Sequence, residues 1–194
     1  MKIRIVYLVA LMSLLNLTFS ASAEESTYDP KFMARAIEIS REALTKPGSE
    51  PFGAVVVQNG KIVGEGLSQA VARWDVTSHG EIEAIREANR NLKRLDLSDC
   101  EIYTTCEPCP LCVAAISLSR FKKMYYAATL DQAGKAFAVL PPNGRFEVDV
   151  DQLIADERTT IDQRSVPAEQ KMDKESYEVL KTWALGRKAE LSKP

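Results

Sequence analysis

Apolar residues recur at helical spacing soon after the strongly apolar start of the chain. Asp29 and Pro30 precede this segment, as a capping acceptor and a ring whose fixed φ suits the first helical position. Pro47 and Gly48 stop the pattern, so the sequence predicts a helix over residues 30–46. Its apolar face carries Met33, Ala36, Ile37, Ala43 and Leu44.

Short apolar runs predict strands in the next part of the chain. Residues 54–57 and 62–63 flank Asn59-Gly60, the dipeptide that best tolerates the positive φ values of a tight hairpin turn. We therefore expect a β-hairpin here. Residues 102–104 predict a short strand, and residues 124–128 predict a buried strand.

Two more helices are predicted between these strands. The segment from His79 to Asn91 places Ile82, Ile85 and Ala88 on one face, and the segment from Cys109 to Arg120 repeats this spacing. The order is α-β-β-α-β-α-β. Helices that alternate with short apolar strands are typical of a layered α/β domain.

The pattern weakens beyond residue 130. Residues 141–144 predict a loop, and residues 149–165 are polar, with a pattern that is ambiguous between helix, strand and loop. From 174 to 189, Tyr177, Leu180 and Trp183 recur at helical spacing, which predicts an amphipathic helix. Tyr177 or Trp183 could stack on a substrate base, although side chains in such a pattern more often belong to the core.

The N-terminal residues have the pattern of a signal peptide. Lys2 and Arg4 precede an almost uninterrupted apolar run from Ile5 to Phe19, and Ala21-Ser22-Ala23 offers small residues for cleavage. We expect residues 1–23 to be removed, which leaves one domain over residues 24–194, periplasmic or secreted and without a stable membrane anchor. The alternative is a retained anchor, because the run is at the short limit for spanning a bilayer.

The net charge indicates the class of substrate, and the cysteine spacing indicates a bound metal. The formal charge of the full chain is −2, and it becomes −4 once the two cations of the leader are removed. Because nucleic-acid binding depends on phosphate neutralisation, this balance favours a small uncharged substrate over nucleic acid. Three of the four cysteines, Cys106, Cys109 and Cys112, fall within seven residues, a pattern typical of metal ligation.

The single histidine and two of these cysteines predict a metal centre. His79 starts one predicted helix, and Cys109 and Cys112 start another, where the helix dipole favours thiolates. One imidazole and two thiolates match a catalytic zinc site that keeps its fourth position for water and lowers the pKa of that water. Glu81, two residues after the histidine, is placed to move protons as the catalytic acid and base.

Histidine-x-glutamate followed by Pro-Cys-x-x-Cys is the signature of zinc nucleobase deaminases, and this chain has every required residue. Three alternatives remain. Cys106 could be a fourth ligand that closes the zinc site. The three cysteines also begin an iron–sulfur motif, although Ile116 stands where the fourth cysteine would be. Glu81 could merely complement the helix dipole.

The chain resembles the cytidine/deoxycytidylate deaminase superfamily, and within it the guanine deaminase and tRNA-adenosine deaminase branch. The resemblance covers about residues 32–128. It is carried by Pro51-Phe52-Gly53-Ala54, Asp75, the segment from His79 to Ala88, Thr105 to Cys112, and Tyr125 to Ala128. It implies a three-layer α/β/α fold with a mixed central sheet, Zn²⁺ as cofactor, a homodimer, and release of ammonia from a purine base or nucleoside.

The resemblance also implies substrate-binding residues. Glu107 and Pro108 would shape the pocket wall, and the backbone near Ala54 would face the base. Ser68 stands where these relatives carry a substrate-binding asparagine, and Gly80 and Val76 replace a usual alanine and proline. A hydroxyl cannot reproduce the paired donor and acceptor of an amide, so the base or ribose could be recognised differently. Deamination of adenosine in tRNA, or of another nucleoside or cytidine, and a non-catalytic zinc module remain the competing functions.

Overall fold

The computed structural model describes residues 28–141, 144–145 and 149–192. The predicted signal peptide, residues 1–23, lies outside the described residues. Within the described ranges, no helix is both long and apolar enough to cross a membrane.

The described residues contain four strands, β1 (Glu50–Gln58), β2 (Lys61–Ser68), β3 (Cys100–Cys106) and β4 (Lys123–Ala128). They form one mixed sheet in the order β2-β1-β3-β4. β1 is antiparallel to β2 and to β3, whereas β3 and β4 are parallel. The predicted hairpin between β1 and β2 is confirmed, with φ values of 49° at Asn59 and 72° at Gly60.

The helices predicted before residue 130 are present. The first is shorter than predicted, because a 3₁₀ turn at Glu42–Leu44 follows Arg41, and Leu44 is exposed instead of lining the apolar face. The sequence did not predict a short helix after the hairpin, α2 (Ala70–Arg73), or two helices after the sheet, α5 (Leu130–Phe137) and α6 (Val150–Glu157). The helices are α1 (Pro30–Arg41), α2 (Ala70–Arg73), α3 (Gly80–Leu92), α4 (Pro110–Leu118), α5 (Leu130–Phe137), α6 (Val150–Glu157) and α7 (Asp173–Leu191).

The sheet separates two apolar clusters, one on each face. β1 supplies alternate residues to both, because successive strand side chains point to opposite faces. On one face, Val55 and Val57 pack with α1. On the other, Ala54 and Val56 pack with α3 and with Ile116 of α4. This is the three-layer α/β/α arrangement with a mixed central sheet that the resemblance implies.

The C-terminal helix α7 differs from its prediction in one respect. The helix forms, from Asp173 to Leu191, but Tyr177, Leu180 and Trp183 are 60%, 65% and 70% exposed. The expectation that these side chains belong to the core is therefore wrong for the described part of the chain. Their spacing is helical, but no described element covers them.

Candidate active site

The candidate metal ligands stand at the starts of two helices. His79 is the N-cap of α3 and Cys109 is the N-cap of α4, both with extended backbone. Neither side chain caps its own helix through a hydrogen bond, so both are available to a ligand. Pro110 follows Cys109 at the first helical position, where its missing N–H costs no hydrogen bond. Cys112 lies within the first turn of α4.

The three predicted ligands converge. Their ligand atoms all lie within 4.8 Å of one another, and Nδ1 of His79 is 3.5 Å from Sγ of Cys109 and 3.5 Å from Sγ of Cys112. Tetrahedral zinc bonds of about 2.0 Å to nitrogen and about 2.3 Å to sulfur place those atoms about 3.5 Å apart. The residues present therefore fit a zinc ion.

The two thiols interact strongly. A hydrogen bond with Cys112, followed in importance by one with His79, lowers the pKa of Cys109 to about 4, although burial opposes the shift. The pKa of Cys112 is raised, first by the hydrogen bond with Cys109 and then by burial. One thiolate forms easily, whereas a second buried anion beside it is disfavoured. A divalent cation offsets that cost, because metal binding displaces thiol protons.

Glu81 lies beside this cluster and is 5% exposed. One carboxylate oxygen is 3.0 Å from the hydroxyl of Thr104, and the other is 3.4 Å from Sγ of Cys112. Burial is the main cause that raises the pKa of Glu81, so protonation is less costly than for an exposed carboxylate. A carboxyl group that can hold or release a proton is thus placed next to the predicted ligands.

The alternative sites that involve Cys106 do not form. Cys106 is not among the residues whose ligand atoms cluster, so neither a closed four-ligand zinc site nor a three-cysteine iron–sulfur start is assembled among the described residues. Cys106 is buried, and its burial is the largest cause that raises the pKa of its thiol to about 11. It lies in the wall of the adjoining cavity as a neutral thiol.

A cavity of about 560 Å³ contains His79, Glu81 and Cys109 in its wall. Its apolar wall comes from β1, from α2 and the residues that follow it, and from α5 and α6. Most of its charged side chains are acidic, and among the described lining residues Arg145 is the only lysine or arginine. The apolar side chains larger than alanine include Phe52, Val71, Val76, Leu130, Phe137, Leu140, Val150 and Ile154, and the acids besides Glu81 are Glu50, Glu107, Asp149 and Asp151.

The predicted substrate-binding residues take different positions. Glu107 lines the cavity, and its carboxylate accepts a hydrogen bond of 3.1 Å from the backbone N–H of Leu130 at the start of α5. Ala54, Ser68 and Pro108 are buried and are not among the lining residues. The Ser68 hydroxyl has no hydrogen-bond partner among the described residues. The substrate-binding roles of these four residues remain predictions.

Gly80, which replaces the alanine usual in the resembling family, is explained by close packing. A Cβ atom at this position would lie 2.5 Å from the carbonyl oxygen of Phe52. Asp75, before the histidine, accepts hydrogen bonds from the backbone N–H and the hydroxyl of Thr77 at 2.8 and 2.7 Å. These contacts order the turn that leads into His79.

Sequence reasoning missed several residues of the cavity wall. Glu50 and Arg145 form an ion pair but lie 95 residues apart, and no local pattern connects them. α5 had a detectable signal, because Thr129 and Gln132 form a capping box. The pattern Thr-x-x-Gln would have predicted the start of this helix, and with it one cavity wall.

The comparisons with known proteins agree with this site. Residues 26–128 match the family model of the cytidine and deoxycytidylate deaminase zinc-binding region. The chain is 41% identical over 105 residues to a guanine deaminase of Bacillus subtilis (strain 168), covering 54% of this chain and 67% of that protein. It is 36% identical over 110 residues to a tRNA-specific adenosine deaminase of Haemophilus influenzae, covering 56% and 63%.

Solved structures give the same grouping. The crystal structure of guanine deaminase from Bacillus subtilis superposes with a TM-score of 0.70 and 31% identity, covering 81% of this chain and 94% of that one. Guanine deaminase from Nitrosomonas europaea gives a TM-score of 0.53 and 25% identity, covering 66% and 72%. With a family match over residues 26–128 and a converged cluster of one histidine and two cysteines, the chain belongs to the zinc-binding cytidine and deoxycytidylate deaminase family.

Proposed function

We propose that this deaminase is an exported zinc enzyme that hydrolyses the exocyclic amine of a free purine base or nucleoside, with guanine as the first candidate. The observation that carries the proposal is the convergence of His79, Cys109 and Cys112 beside Glu81. His79, Cys109 and Glu81 also line one cavity. The similarity to guanine deaminases over most of their length supports the choice of base.

The chemistry requires a water molecule, a proton carrier and an amine-bearing ring carbon. A zinc ion held by His79, Cys109 and Cys112 would lower the pKa of a water molecule towards neutrality. Glu81 would accept a proton from that water and pass it to the ring nitrogen next to the amine-bearing carbon. It would then transfer the second water proton to the amine, which leaves as ammonia while the ring carbon gains a carbonyl oxygen.

The cavity favours a small base over a polyanion. A volume of about 560 Å³ with apolar and aromatic walls suits a compact planar ligand. Glu50, Glu107, Asp149 and Asp151 contribute negative charge at its wall, against a single arginine among the described residues. A phosphate backbone would be repelled there, and the chain as a whole has a formal charge of −2.

Deamination of adenosine in tRNA is the second candidate, supported by the similarity to tRNA-specific adenosine deaminases. The acidic cavity wall counts against it. Another nucleoside or cytidine remains a further alternative, which the same panel of substrates separates. A non-catalytic zinc module is the third possibility, and it predicts a folded, zinc-containing protein without turnover.

Ammonia release from guanine, guanosine, adenine, adenosine, cytidine and a tRNA anticodon stem–loop tests the proposal directly. We expect guanine to be deaminated by protein that carries about one zinc per chain. The matched variant Glu81→Gln keeps the shape of the side chain but cannot carry the proton, so it should retain zinc and fold and lose turnover. Ammonia release by this variant at the wild-type rate would refute the role of Glu81. If the wild-type protein released no ammonia from any substrate of the panel, the proposed deaminase activity would be refuted.

Export and dimer formation belong to the same proposal. The positive residues, apolar run and small residues of positions 1–23 support a cleaved leader and a periplasmic or secreted domain from residue 24. The family resemblance supports a homodimer. Mass spectrometry of the mature N-terminus tests the first, and light scattering of the purified protein tests the second. An N-terminus at Met1 in a membrane fraction would indicate a retained anchor instead.

A further inference from the structure

Arg145 is fixed in the cavity wall by Glu50, which begins β1. Its Nε and Nη2 atoms both lie 3.0 Å from Oε1 of Glu50. The side chains are 30% and 18% exposed, so the pair is partly shielded from water. Two N–H groups of one guanidinium edge that bind the same carboxylate hold its plane in one orientation.

Two aromatic rings also lie close to this guanidinium. Its central carbon lies 4.5 Å from the ring centroid of Phe137 in α5 and 5.9 Å from that of Phe52 in β1. The rings contact each other edge-on, with centroids 5.8 Å apart. Cation–π attraction and the ion pair therefore position Arg145 from two directions.

This arrangement leaves hydrogen-bonding capacity on Arg145. A guanidinium has five N–H donors, and the contacts with Glu50 account for one on Nε and one on Nη2. The remaining N–H of Nη2 and the N–H groups of Nη1 form the end edge of the fork. No partner for this edge is found among the described residues, and Arg145 lines the cavity that also contains His79 and Glu81.

We infer that Arg145 is a specificity-determining residue, which donates two hydrogen bonds from this end edge to the carbonyl oxygen and neighbouring ring nitrogen of a 6-oxopurine. The inference rests on the proposed function. Arginine recognises this acceptor pair of guanine through two parallel N–H groups. A purine without the carbonyl would leave the fixed donors partly unpaired in a shielded site, which is how polar pockets reject analogues.

Glu50 has a positioning role in this scheme. It occupies the side edge of the guanidinium, so a ligand would bind to the end edge. It also compensates the charge of Arg145, which disfavours an anionic ligand such as a phosphate. Arg145 would therefore select a neutral acceptor.

Binding measurements separate this inference from the deaminase reaction. Hypoxanthine and purine lack an exocyclic amine, so neither can be deaminated, and they differ by the 6-oxo group. Calorimetry with the zinc-loaded protein should show that hypoxanthine binds about 10- to 100-fold more tightly than purine. Arg145→Met should bind both ligands with similar affinity. Arg145→Lys should also lose most of the preference, because an ammonium cannot make the parallel pair.

Three outcomes would overturn the inference. Arg145→Met could keep the preference for hypoxanthine over purine. It could also lower the affinity for both ligands equally, as expected if the ion pair with Glu50 only stabilises the structure. A preference for inosine monophosphate over inosine that disappears in Arg145→Met, without discrimination between the two bases, would place the guanidinium on a phosphate. The proposed function is tested separately by ammonia release from guanine, so its failure is distinguishable from a failure of these binding results.

Discussion

The hydroxyl oxygen of Thr104 lies 3.0 Å from a carboxylate oxygen of Glu81 and 3.2 Å from the carbonyl oxygen of Cys106. A hydroxyl has one hydrogen to donate and lone pairs to accept. It can donate to Glu81 when the carboxylate is ionised. When Glu81 is protonated, it can accept from the acid and donate to the Cys106 carbonyl. Thr104 is therefore able to satisfy both protonation states of Glu81.

We expect Thr104→Val to keep the fold and the zinc while slowing the reaction. Valine has nearly the shape of threonine but cannot bond to Glu81. A hydrogen bond to a charged group contributes about 1.5–3 kcal/mol, so kcat for guanine should fall about 10- to 100-fold. Thr104→Ser, which keeps the hydroxyl, is the matched control for steady-state kinetics. An unchanged kcat in Thr104→Val would show that Glu81 does not need this contact.

The metal ligands can be separated from the neighbouring thiol. Cys112→Ser should lose zinc, because Sγ of Cys112 lies 3.5 Å from Nδ1 of His79 in the ligand cluster. Cys106→Ser should retain about one zinc per chain, because Cys106 stands outside that cluster. Elemental analysis of both purified variants measures the difference. Equal loss of zinc from both variants would support the alternative site in which Cys106 is a fourth zinc ligand.

The sequence predicts the elements of this domain that are locally encoded. Asn59-Gly60 determines the hairpin, and the apolar spacing determines α1 and α3, because each depends on neighbours a few residues away. The ligand set was predictable for the same reason, since a helix start and a two-residue gap place thiols together. α7 shows the limit, because helical spacing of Tyr177 and Trp183 indicates a helix but not whether anything covers it.

The rest of the site depends on contacts between distant segments. Glu50 meets Arg145, and Thr104 meets Glu81, only after the sheet has formed. No periodicity in a single segment carries that information. The cavity wall formed by α5 and α6 is different, because both helices have a local signal in the sequence. Their N-caps, Thr129 and Asp149, are typical capping residues, so the starts of these helices were predictable.

The close approach of β2 to α3 predicts a sensitive position at Gly66. A Cβ atom there would lie 2.0 Å from the carbonyl oxygen of Gly80 and 2.5 Å from the backbone nitrogen of Ala84. Gly66→Ala should therefore displace the first turn of α3, which carries Glu81 and follows His79. We expect unfolding free energy to fall by about 1–3 kcal/mol and zinc affinity to fall with it.

Gly134 in α5 provides the control for this substitution. Among the described residues, and apart from its chain neighbours and the backbone of its own helix, no atom lies within 4 Å of a Cβ atom built at this position. Gly134→Ala should raise the unfolding free energy by up to about 1 kcal/mol, since alanine is the better helix former. Urea denaturation followed by circular dichroism measures both variants. A Gly66→Ala protein as stable as the wild type would show that α3 can shift without cost.

Ser68 stands where related deaminases carry a substrate-binding asparagine, and a substitution tests whether the serine has the same role. Its hydroxyl is buried without a hydrogen-bond partner among the described residues, and Ser68 does not line the cavity. Because an unpaired buried hydroxyl is unfavourable, Ser68→Ala should leave the unfolding free energy unchanged or raise it by up to about 1 kcal/mol. Its kcat/KM for guanine should stay close to the wild-type value. A loss of about tenfold or more, equivalent to about 1.4 kcal/mol, with the fold intact, would mean that the substrate reaches this hydroxyl. That result would support the substrate-binding role predicted for Ser68 and place the base deeper, next to β2.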